Sequence, residues 1–329
     1  MRSSFQHEDA NQIRRGLVAV VGASGTGLRE VSTLLHHYGA GVSEVLATDS
    51  RDMHETGAGT LAAIDRVGRD LGSQVIVLVS RPPSPFVAAR VLDRAVATGR
   101  RVVAVFLGYT AGAKHPGVTF AATLEDAARL AAVMAGGDRS SDHPTLRLTV
   151  PSFTRDQRWL RALYSGGTLG YEALAILSGV GRVASNLKYL GVAPLGSITA
   201  AVHTVVDVGD ASMRVRAPHP RLDLASRVQA VRAVGRDPTA AVLLFDLVLG
   251  RDAHPDPASL LAPALRDARD AAAARGGTLV VVGSVTGTDD DPQGRTRQAD
   301  ALTVAGVEVC SSNAAAVRRA RALIAGELR

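Results

Sequence analysis

The sequence predicts an α/β fold built from two repeated halves, each with a parallel sheet covered by helices. Three observations lead to this fold class. Short runs of Val and Leu without polar alternation are typical of strands buried on both faces. Alanine-rich segments with helical spacing separate these runs, and several end in glycine. This rhythm of strand and helix then repeats in the second half of the chain.

The first half contains four predicted strands and three predicted helices. The strands lie at 16–22, 43–48, 74–80 and 100–108. The helices read "GLREVSTLLHHYG", "SPFVAARVLDRAVATG" and "TLEDAARLAAVMAGG". Thr123 and Asp126 have the spacing of a capping box, which places the start of the last helix.

The second half repeats this pattern, with strands predicted at 159–165, 240–250, 278–285 and 306–310. Its helices read "TLGYEALAILSG", "DPASLLAPALRDARDAAAARGG" and "NAAAVRRARALIAGEL". It differs from the first half by an insertion at about 186–236. We therefore expect one domain at 16–140 and a second at 158–329. A polar linker at 141–157 joins them, and the polar residues 1–15 are predicted to be disordered.

Composition and hydropathy exclude several classes of protein. Apolar runs stay below the roughly 18 residues of a membrane span, and residues 1–15 do not resemble a signal peptide. The single Cys310 permits no internal disulfide, which favours a cytoplasmic protein, and it ends an apolar run as a structural thiol does. Basic residues are scattered among acids and aromatic residues make up 4% of the chain. We therefore expect neither a nucleic-acid nor a membrane partner.

Two glycine-rich turns, one in each half, are the first candidate site. Backbone N–H groups at such a junction of strand and helix are free to bind a phosphate or carboxylate, and the helix dipole favours the anion. Neither turn is a P-loop or a complete dinucleotide fingerprint, and an ordinary strand-to-helix turn remains the alternative. The candidate phosphate-binding residues are Ser24, Gly25, Thr26 and Gly27 in the first turn and Ser165, Gly166, Gly167 and Thr168 in the second.

A glutamate follows each turn at the same spacing, Glu30 four residues after Thr26 and Glu172 four residues after Thr168. Within the first turn of a helix, an acid stabilises the helix dipole, and this structural role is sufficient for either glutamate alone. Beside a bound phosphate, however, a carboxylate needs a hydrogen-bond donor between them. Glu30 and Glu172 are therefore also catalytic candidates.

Histidine, arginine and aspartate are dense in the loops of the second half. Loops at the carboxyl ends of neighbouring parallel strands converge on one crevice, so these side chains are expected to lie near one another. The histidines would carry protons or bind substrate, and the arginines would bind an acid. Their spacing is not diagnostic of a metal site, so no metal is predicted. The candidates are His219, His254, Arg216, Arg221 and Asp252; Asp246, within a strand, and Asp256, a candidate N-cap, lie nearby.

Several of these segments resemble a known family. "SGGTLGYEAL" is similar to the "SGTLTYEA" segment of the succinyl-CoA ligase alpha subunit. Together, "LYSGGTLGYEAL", "PHPRLD", "VLGRDAHPDPA", "GTDDDPQ" and "SSNAAA" resemble the FdrA family of acyl-CoA-synthetase-like proteins. The resemblance implies two tandem flavodoxin-like, succinyl-CoA-synthetase-like domains, each with a helix that points its N-terminus at a phosphate. In the ligase, the glutamate orients a phosphorylated histidine.

The sequence departs from the ligase where that phosphohistidine is expected. "GYTAGAKHPGVTF" stands in place of a "GHAGA" loop and leaves His115 as the nearby histidine. We also see no CoA-binding Rossmann domain and no ATP-grasp module, so the predicted enzyme is not self-sufficient. No cofactor is predicted within the chain, and CoA is expected to come through a partner subunit.

The resemblance favours a subunit of a multi-subunit carbamoyltransferase, because FdrA proteins are similar to components of oxamate carbamoyltransferase. A helix N-terminus would hold the phosphate of carbamoyl phosphate, while Glu172 or Glu30 accepts its amide hydrogens. Acid–thiol ligation with CoA- and nucleotide-binding partners is the first alternative. A non-catalytic binding or scaffold subunit is the second.

Overall fold

The protein is described from a computed structural model, which covers residues 6–7, 10–109, 114–137, 151–213 and 218–325. Packing divides the chain into two units, Met1–Asp142 and His143–Arg329. The division falls inside 141–157, the predicted linker, whose own ends stay a prediction. Each unit holds one sheet.

The first unit is a mainly parallel six-stranded sheet with helices between successive strands. Its strand order is β1-β3-β2-β4-β5-β6, and only β1 pairs in the antiparallel direction among the described strands. The elements are β1 (Gln6–His7), β2 (Arg15–Gly22), α1 (Gly25–His37), β3 (Val42–Ala47), α2 (Asp52–Glu55), α3 (Ala58–Arg69), β4 (Val75–Ser80), α4 (Pro85–Ala97), β5 (Arg101–Phe106), β6 (Val118–Phe120) and α5 (Leu124–Met134).

The second unit is a seven-stranded sheet with the order β13-β12-β11-β7-β10-β8-β9, and its pairings are parallel. Its elements up to the middle strand are β7 (Trp159–Tyr164), α6 (Gly167–Ile176), β8 (Val183–Ser185), β9 (Ala193–Pro194), β10 (His203–Asp207), a 3₁₀ turn (Ala211–Met213), α7 (Ala225–Arg236) and β11 (Ala240–Val248). They continue with α8 (Pro257–Ala274), β12 (Val280–Thr286), α9 (Arg295–Val304), β13 (Val307–Cys310) and α10 (Asn313–Ala325).

The α/β fold with two parallel sheets flanked by helices is confirmed. Both sheets share one order for their five main strands, in which the first strand lies between the second and the third. Helices cover both faces of the central strands, so every residue of β4 and of β11 is buried, including Asp246 in the otherwise apolar β11. Leu163 of β7 and the Leu and Phe side chains of β11 pack on α7 and α8, whereas α6 and α10 cover the opposite face.

The segment 186–236, predicted as an insertion, requires a correction because it contains two main elements of the second unit. β10 is the second strand of the common order, and α7 is the helix that leads from it to β11. β10 reads "HTVVD", and its polar ends concealed it from a search for apolar runs. The true additions relative to the first unit are β8 and β9, which extend the sheet beyond β10.

A second correction concerns residues 1–15, for which the composition predicts disorder. Gln6–His7 instead pairs with Ala47 and Leu46 of β3. The physical reason is that β3 would otherwise be an edge strand, whose free backbone N–H and C=O groups accept a further strand.

Charged and aromatic side chains fix the amino end of β7. Arg161 is fully buried and donates from Nε to Asp237 Oδ2 at 2.8 Å. His203 accepts the N–H of Leu160 at its Nδ1 (3.1 Å), and its ring lies edge-on to Trp159 at 5.2 Å. Burial, and next the charge of Arg161, lower the pKa of His203 from 6.5 to about 4.

We expect the stability of the second unit to fall as the pH drops from about 6.5 to about 4. In this range the unfolded chain protonates His203, whereas the folded unit holds it neutral, which corresponds to a loss of about 3 kcal/mol. The measurement is urea unfolding followed by Trp159, the only tryptophan of the chain. His203→Gln should flatten this pH dependence, and the exposed control His54→Gln should not. Equal slopes for both variants would contradict the assignment.

Helices α7 and α8 pack closely at Gly235. A Cβ placed on Gly235 would lie 2.7 Å from the Cα of Ala268, which leaves no room for a methyl group. We therefore expect Gly235→Ala to destabilise the second unit by about 1–2 kcal/mol in urea unfolding, because overpacking outweighs the gain in helix propensity. Gly196→Ala is the matched control, since the space around Gly196 is open, and it should change stability by less than about 0.5 kcal/mol.

Candidate functional site at the carboxyl edge of the second sheet

The strand order of the second sheet reverses between β7 and β11, and polar side chains gather where these strands end. α6 begins just after β7, so its N-terminus lies at this edge of the sheet. In open parallel sheets, ligands bind in the crevice at such a switch point. This edge is therefore the candidate site.

Ser165, the first residue after β7, is bound to Asp246 of β11 by two hydrogen bonds. Its N–H donates to Oδ1 at 2.9 Å and its Oγ–H donates to Oδ2 at 2.6 Å. Both side chains are fully buried. Ser165 therefore fixes the turn that enters α6, and its hydroxyl group is engaged by Asp246 rather than by the helix.

Arg227 of α7 balances the negative charge of Asp246. Its Nη2 donates to Asp246 Oδ1 at 3.1 Å and also to the backbone carbonyl of Asp246. Burial lowers the pKa of the Arg227 guanidinium, whereas the charges of Asp246 and Asp207 raise it. Since arginine is not deprotonated in proteins, this is a buried ion pair.

His219 lies beside the switch point, packed against Gly209. A Cβ placed on Gly209 would lie 2.6 Å from the Ser165 carbonyl oxygen, 3.0 Å from Asp207 Oδ1 and 3.2 Å from His219 Nε2. The Gly209 N–H donates to Asp207 Oδ1 at 2.8 Å. His219 Nδ1 accepts the N–H of Arg221 at 3.3 Å, so in the neutral ring the proton is on Nε2. The Nε2–H group thus lies near Asp207 and Ser165.

The loops "PHPRLD" and "GRDAHPDP" lie together. Arg221 Nη2 is 3.3 Å from Asp252 Oδ2, and the Arg221 carbonyl accepts the N–H of His254 at 2.7 Å. His254 Nδ1 accepts the N–H of Asp256 at 3.0 Å, so this ring nitrogen stabilises its own loop. Arg216, the remaining candidate from this region, lies outside the described residues.

The turn that begins α1 in the first unit is closed by its own residues. Ser24 is the N-cap, and its Oγ accepts the N–H of Gly27 at 3.2 Å, across Gly25 and Thr26. At the end of β2, a Cβ on Gly22 would lie 2.1 Å from the carbonyl oxygen of Val79. The backbones of β2 and β4 therefore pack directly on each other at this switch point, and a side chain at position 22 has no room.

The matched turn that begins α6 has a glycine where the first turn has a serine. Its N-cap is Gly166, with an extended backbone, which has no side chain of its own to cap the helix. Gly167 and Thr168 are the first residues of the helix. The N–H groups of this turn carry partial positive charge, so α6 offers the better anion site of the two helices.

Glu30 and Glu172 differ from the sequence prediction in position. Each is the sixth residue of its helix and lies in the second turn, so neither is a first-turn acid. Glu172 is 0% exposed, and its Oε2 accepts an N–H from Asn313 of α10 at 2.7 Å. The Asn313 amide thus occupies the position that a substrate amide would need. Glu30 is also buried, and together with burial and Glu125 its charge helps to raise the pKa of Tyr38 to about 12.

Sequence reasoning missed the two side chains that complete this edge, Arg227 and Asn313. Arg227 belongs to α7, which the predicted insertion concealed. A usable signal was Asp246, an acid inside the apolar run "VLLFDLVL", because a buried carboxylate requires a basic partner. Asn313 follows two serines at the start of α10, where Ser312 accepts the N–H of Ala315 at 3.0 Å.

His115, the histidine nearest the expected phosphohistidine, has an acceptor oxygen at each ring nitrogen. Its Nε2 is 3.0 Å from Asp93 Oδ1, and its Nδ1 is 3.0 Å from the Pro116 carbonyl oxygen. Across the described ranges, no cluster of three His, Cys, Asp or Glu residues is suited to a metal ion. Within the same ranges, no helix is long and apolar enough to cross a bilayer.

Comparison with known proteins shows which family the residues at this edge resemble. The CoA-ligase family model matches residues 163–323, which begin at the end of β7 and end in α10. Residues 163–323 are thus similar to a CoA-ligase domain. The chain is also homologous to the uncharacterized protein YahF of Escherichia coli (strain K12), with 35% identity over 316 residues. This alignment covers 92% of the chain and 61% of YahF, so the chain spans about three fifths of that relative.

Solved structures with weaker similarity include two enzymes that handle CoA. The dinucleotide-forming acetyl-coenzyme A synthetase 1 of Ca. Korarchaeum cryptofilum is 15% identical, with a TM-score of 0.32, over 97% of this chain and 68% of that one. The ATP citrate lyase of Methanosaeta concilii is 13% identical, with a TM-score of 0.29, over 94% of this chain and 50% of that one. The residues matched by the CoA-ligase family model contain the whole polar edge described above, from Ser165 to Asn313.

Asp246 is expected to be the most sensitive position of the CoA-ligase domain for stability. Asp246→Asn leaves the buried Arg227 without its counter-charge, and we expect a loss of roughly 3–5 kcal/mol in urea unfolding followed by Trp159. The double variant Asp246→Asn with Arg227→Met should lose less than the sum of the two single variants. Additive losses would show that the two side chains act independently.

Proposed function

We propose that the chain is a subunit of an acid–thiol ligase, in which the CoA-ligase domain binds the phosphate of an acyl phosphate at the N-terminus of α6. The observation that carries this proposal is the difference between the two matched turns. The first is capped by the side chain of Ser24, whereas the second has Gly166 at the N-cap, which has no side chain to occupy the N–H groups of the first turn.

The chemistry follows from where charge develops. When a thiol attacks the carbonyl carbon of an acyl phosphate, the bond between that carbon and the phosphate oxygen breaks and phosphate leaves with the negative charge. N–H groups at the start of α6 stabilise that leaving group. The ion pair of Asp246 and Arg227 holds the turn in position through Ser165, so these residues are positioning residues. The thiol attacks as its thiolate, with its proton released to solvent, and the His219 Nε2–H group on the same edge is the candidate hydrogen-bond donor to the leaving phosphate.

Partner chains complete this proposed enzyme. The reaction needs a site for CoA and a site for the nucleotide that drives acid activation, and we assign both to other subunits. The single CoA-ligase domain then contributes the phosphate site of the assembly.

A second candidate is carbamoyl transfer by an FdrA-like subunit, from carbamoyl phosphate to a small acid amide such as oxamate. It is favoured by His115, whose ring nitrogens both have partners, because direct transfer does not need a phosphorylated histidine. In this version α6 binds the phosphate group of carbamoyl phosphate. Glu172 then acts through Asn313, whose amide it already holds, rather than by touching the substrate.

Substitution of Gly166 tests the phosphate site without disturbing the fold. Gly166→Asp places a carboxylate at the N-cap, where it accepts an N–H of the first turn and repels an anion. We expect at least a tenfold loss of affinity for inorganic phosphate and acetyl phosphate by calorimetry. Stability should change by only a few tenths of a kcal/mol, since aspartate and glycine are both good N-caps.

Two matched variants separate charge from capping. Gly166→Asn caps the helix without a charge and should weaken phosphate binding less than Gly166→Asp does. Ser24→Asp makes the acidic change at the capped turn and should leave binding unchanged. A larger effect of Ser24→Asp would assign the anion to the first unit. Among ligands, binding of carbamoyl phosphate with no binding of acetyl phosphate would favour carbamoyl transfer, and no binding of any phosphate would favour a scaffold subunit.

A further inference from the structure

An open pocket of about 770 Å³ lies beside the two strands that the first unit lacks. Its wall is formed almost entirely by one stretch, residues 185–195, which contains the end of β8 and all of β9. Ser212 and Met213 of the 3₁₀ turn complete it. This volume is in the range of small-molecule sites in proteins. The pocket is separate from the Ser165 turn and belongs to no function assigned above.

The wall of this pocket is held in place by hydrogen bonds from the rest of the unit. Tyr171 of α6 donates from its hydroxyl to the carbonyl of Lys188 at 2.9 Å. Asn186 donates from Nδ2 to the Asp207 carbonyl at 2.8 Å and accepts the Asp207 N–H at 2.9 Å. The Leu195 N–H donates to the Ser185 carbonyl at 3.0 Å. Anchored at both ends, the stretch forms the pocket without a ligand.

The chemistry of the pocket lining combines an apolar wall with one cation. Six of its residues have apolar side chains larger than alanine: Leu187, Leu190, Val192, Pro194, Leu195 and Met213. Leu190 is 97% exposed, an unfavourable position for leucine in water. Lys188 is the one charged residue of the described lining, and no acid accompanies it there. The neighbouring Asp210 is occupied by the N–H and hydroxyl of Ser212.

The charge balance of the described lining favours one class of ligand. A nucleotide or CoA carries several negative charges on its phosphates, whereas the described lining offers a single lysine. A neutral lipid would leave Lys188 unused beside an apolar surface. Tyr189 adds a donor rather than a charge, because burial raises the pKa of its hydroxyl group. An apolar molecule with one negative charge satisfies both parts of the lining.

We propose that this pocket binds an amphipathic organic monoanion, with a carboxylate that pairs with Lys188 and an unbranched apolar chain of roughly eight to twelve carbons that covers Leu190 and its neighbours. The proposal does not depend on the proposed ligase function. The two are tested by different variants, because Gly166→Asp alters the phosphate site and should leave this pocket unchanged.

The test uses the fact that the chain contains only two lysines, Lys188 and Lys114. The intact chain is treated with an amine-acylating reagent in the presence of decanoate below its micellar concentration, and modification of each lysine is followed by mass spectrometry of peptides. We expect decanoate to slow modification of Lys188 at least fivefold in a saturable manner. Lys114 serves as the internal control and should be modified at an unchanged rate.

Calorimetry with decanoate supplies the second readout. Lys188→Gln should weaken binding roughly tenfold through loss of the ion pair, whereas Lys114→Gln should not weaken it. Val192→Glu, which places a negative charge in the apolar wall, should weaken binding at least as much. 1-Decanol should protect Lys188 poorly, since it lacks the carboxylate.

Three results would overturn the proposal. Equal protection of both lysines would show a general effect of the fatty acid on the reagent or on the protein. Equal protection by 1-decanol and decanoate would show that the carboxylate does not contribute to binding, which contradicts the proposed pairing with Lys188. Protection of Lys188 by protein concentration alone, with dimers in sedimentation, would identify the exposed leucine surface as a contact between copies of the chain.

Discussion

The buried carboxylate of Asp246 is the group on which the rest of the candidate site depends. It fixes the Ser165 turn through two hydrogen bonds and pairs with Arg227 of α7. Hydrogen bonds to this one side chain on the central strand therefore fix both the start of α6 and the position of α7. The carboxylate cannot be removed without leaving the buried Arg227 short of negative charge.

A buried ion pair adds little to the stability of a fold, since well-packed apolar residues of similar volume are often at least as stabilising. The first unit shows the apolar solution to the same topological problem. There the backbone of Gly22 packs directly on Val79, and Ser24 caps α1 from within. The second unit instead has a charged pair below a helix whose N-cap is glycine. Because the strand order is the same in both units, the fold itself does not require this pair.

The sequence predicted the features that depend on local pattern and missed those that depend on tertiary pairing. Continuous apolar runs predicted β4 and β11 because strands buried on both faces need no polar alternation. The matched turns were visible from glycine and hydroxyl residues alone. β10 was missed because three of its five residues are polar and become buried through partners on other strands. Arg227 was missed for the same reason, since only the folded sheet brings it to Asp246.

The two sites of the second unit share a structural element. α6 presents its N-terminus at the switch point, and its Tyr171 holds the Lys188 carbonyl in the wall of the apolar pocket. Gly170, next to Tyr171, has no space for a side chain, because a Cβ there would lie 2.6 Å from Leu187 Cδ1. The helix therefore packs directly on the added β8 and β9 segment. An arrangement in which one short helix contacts both an anion site and an apolar pocket is absent from the described part of the first unit, whose sheet has no counterpart of β8 and β9. The addition of β8 and β9 thus gives the second unit a pocket wall for which the described part of the first sheet has no counterpart.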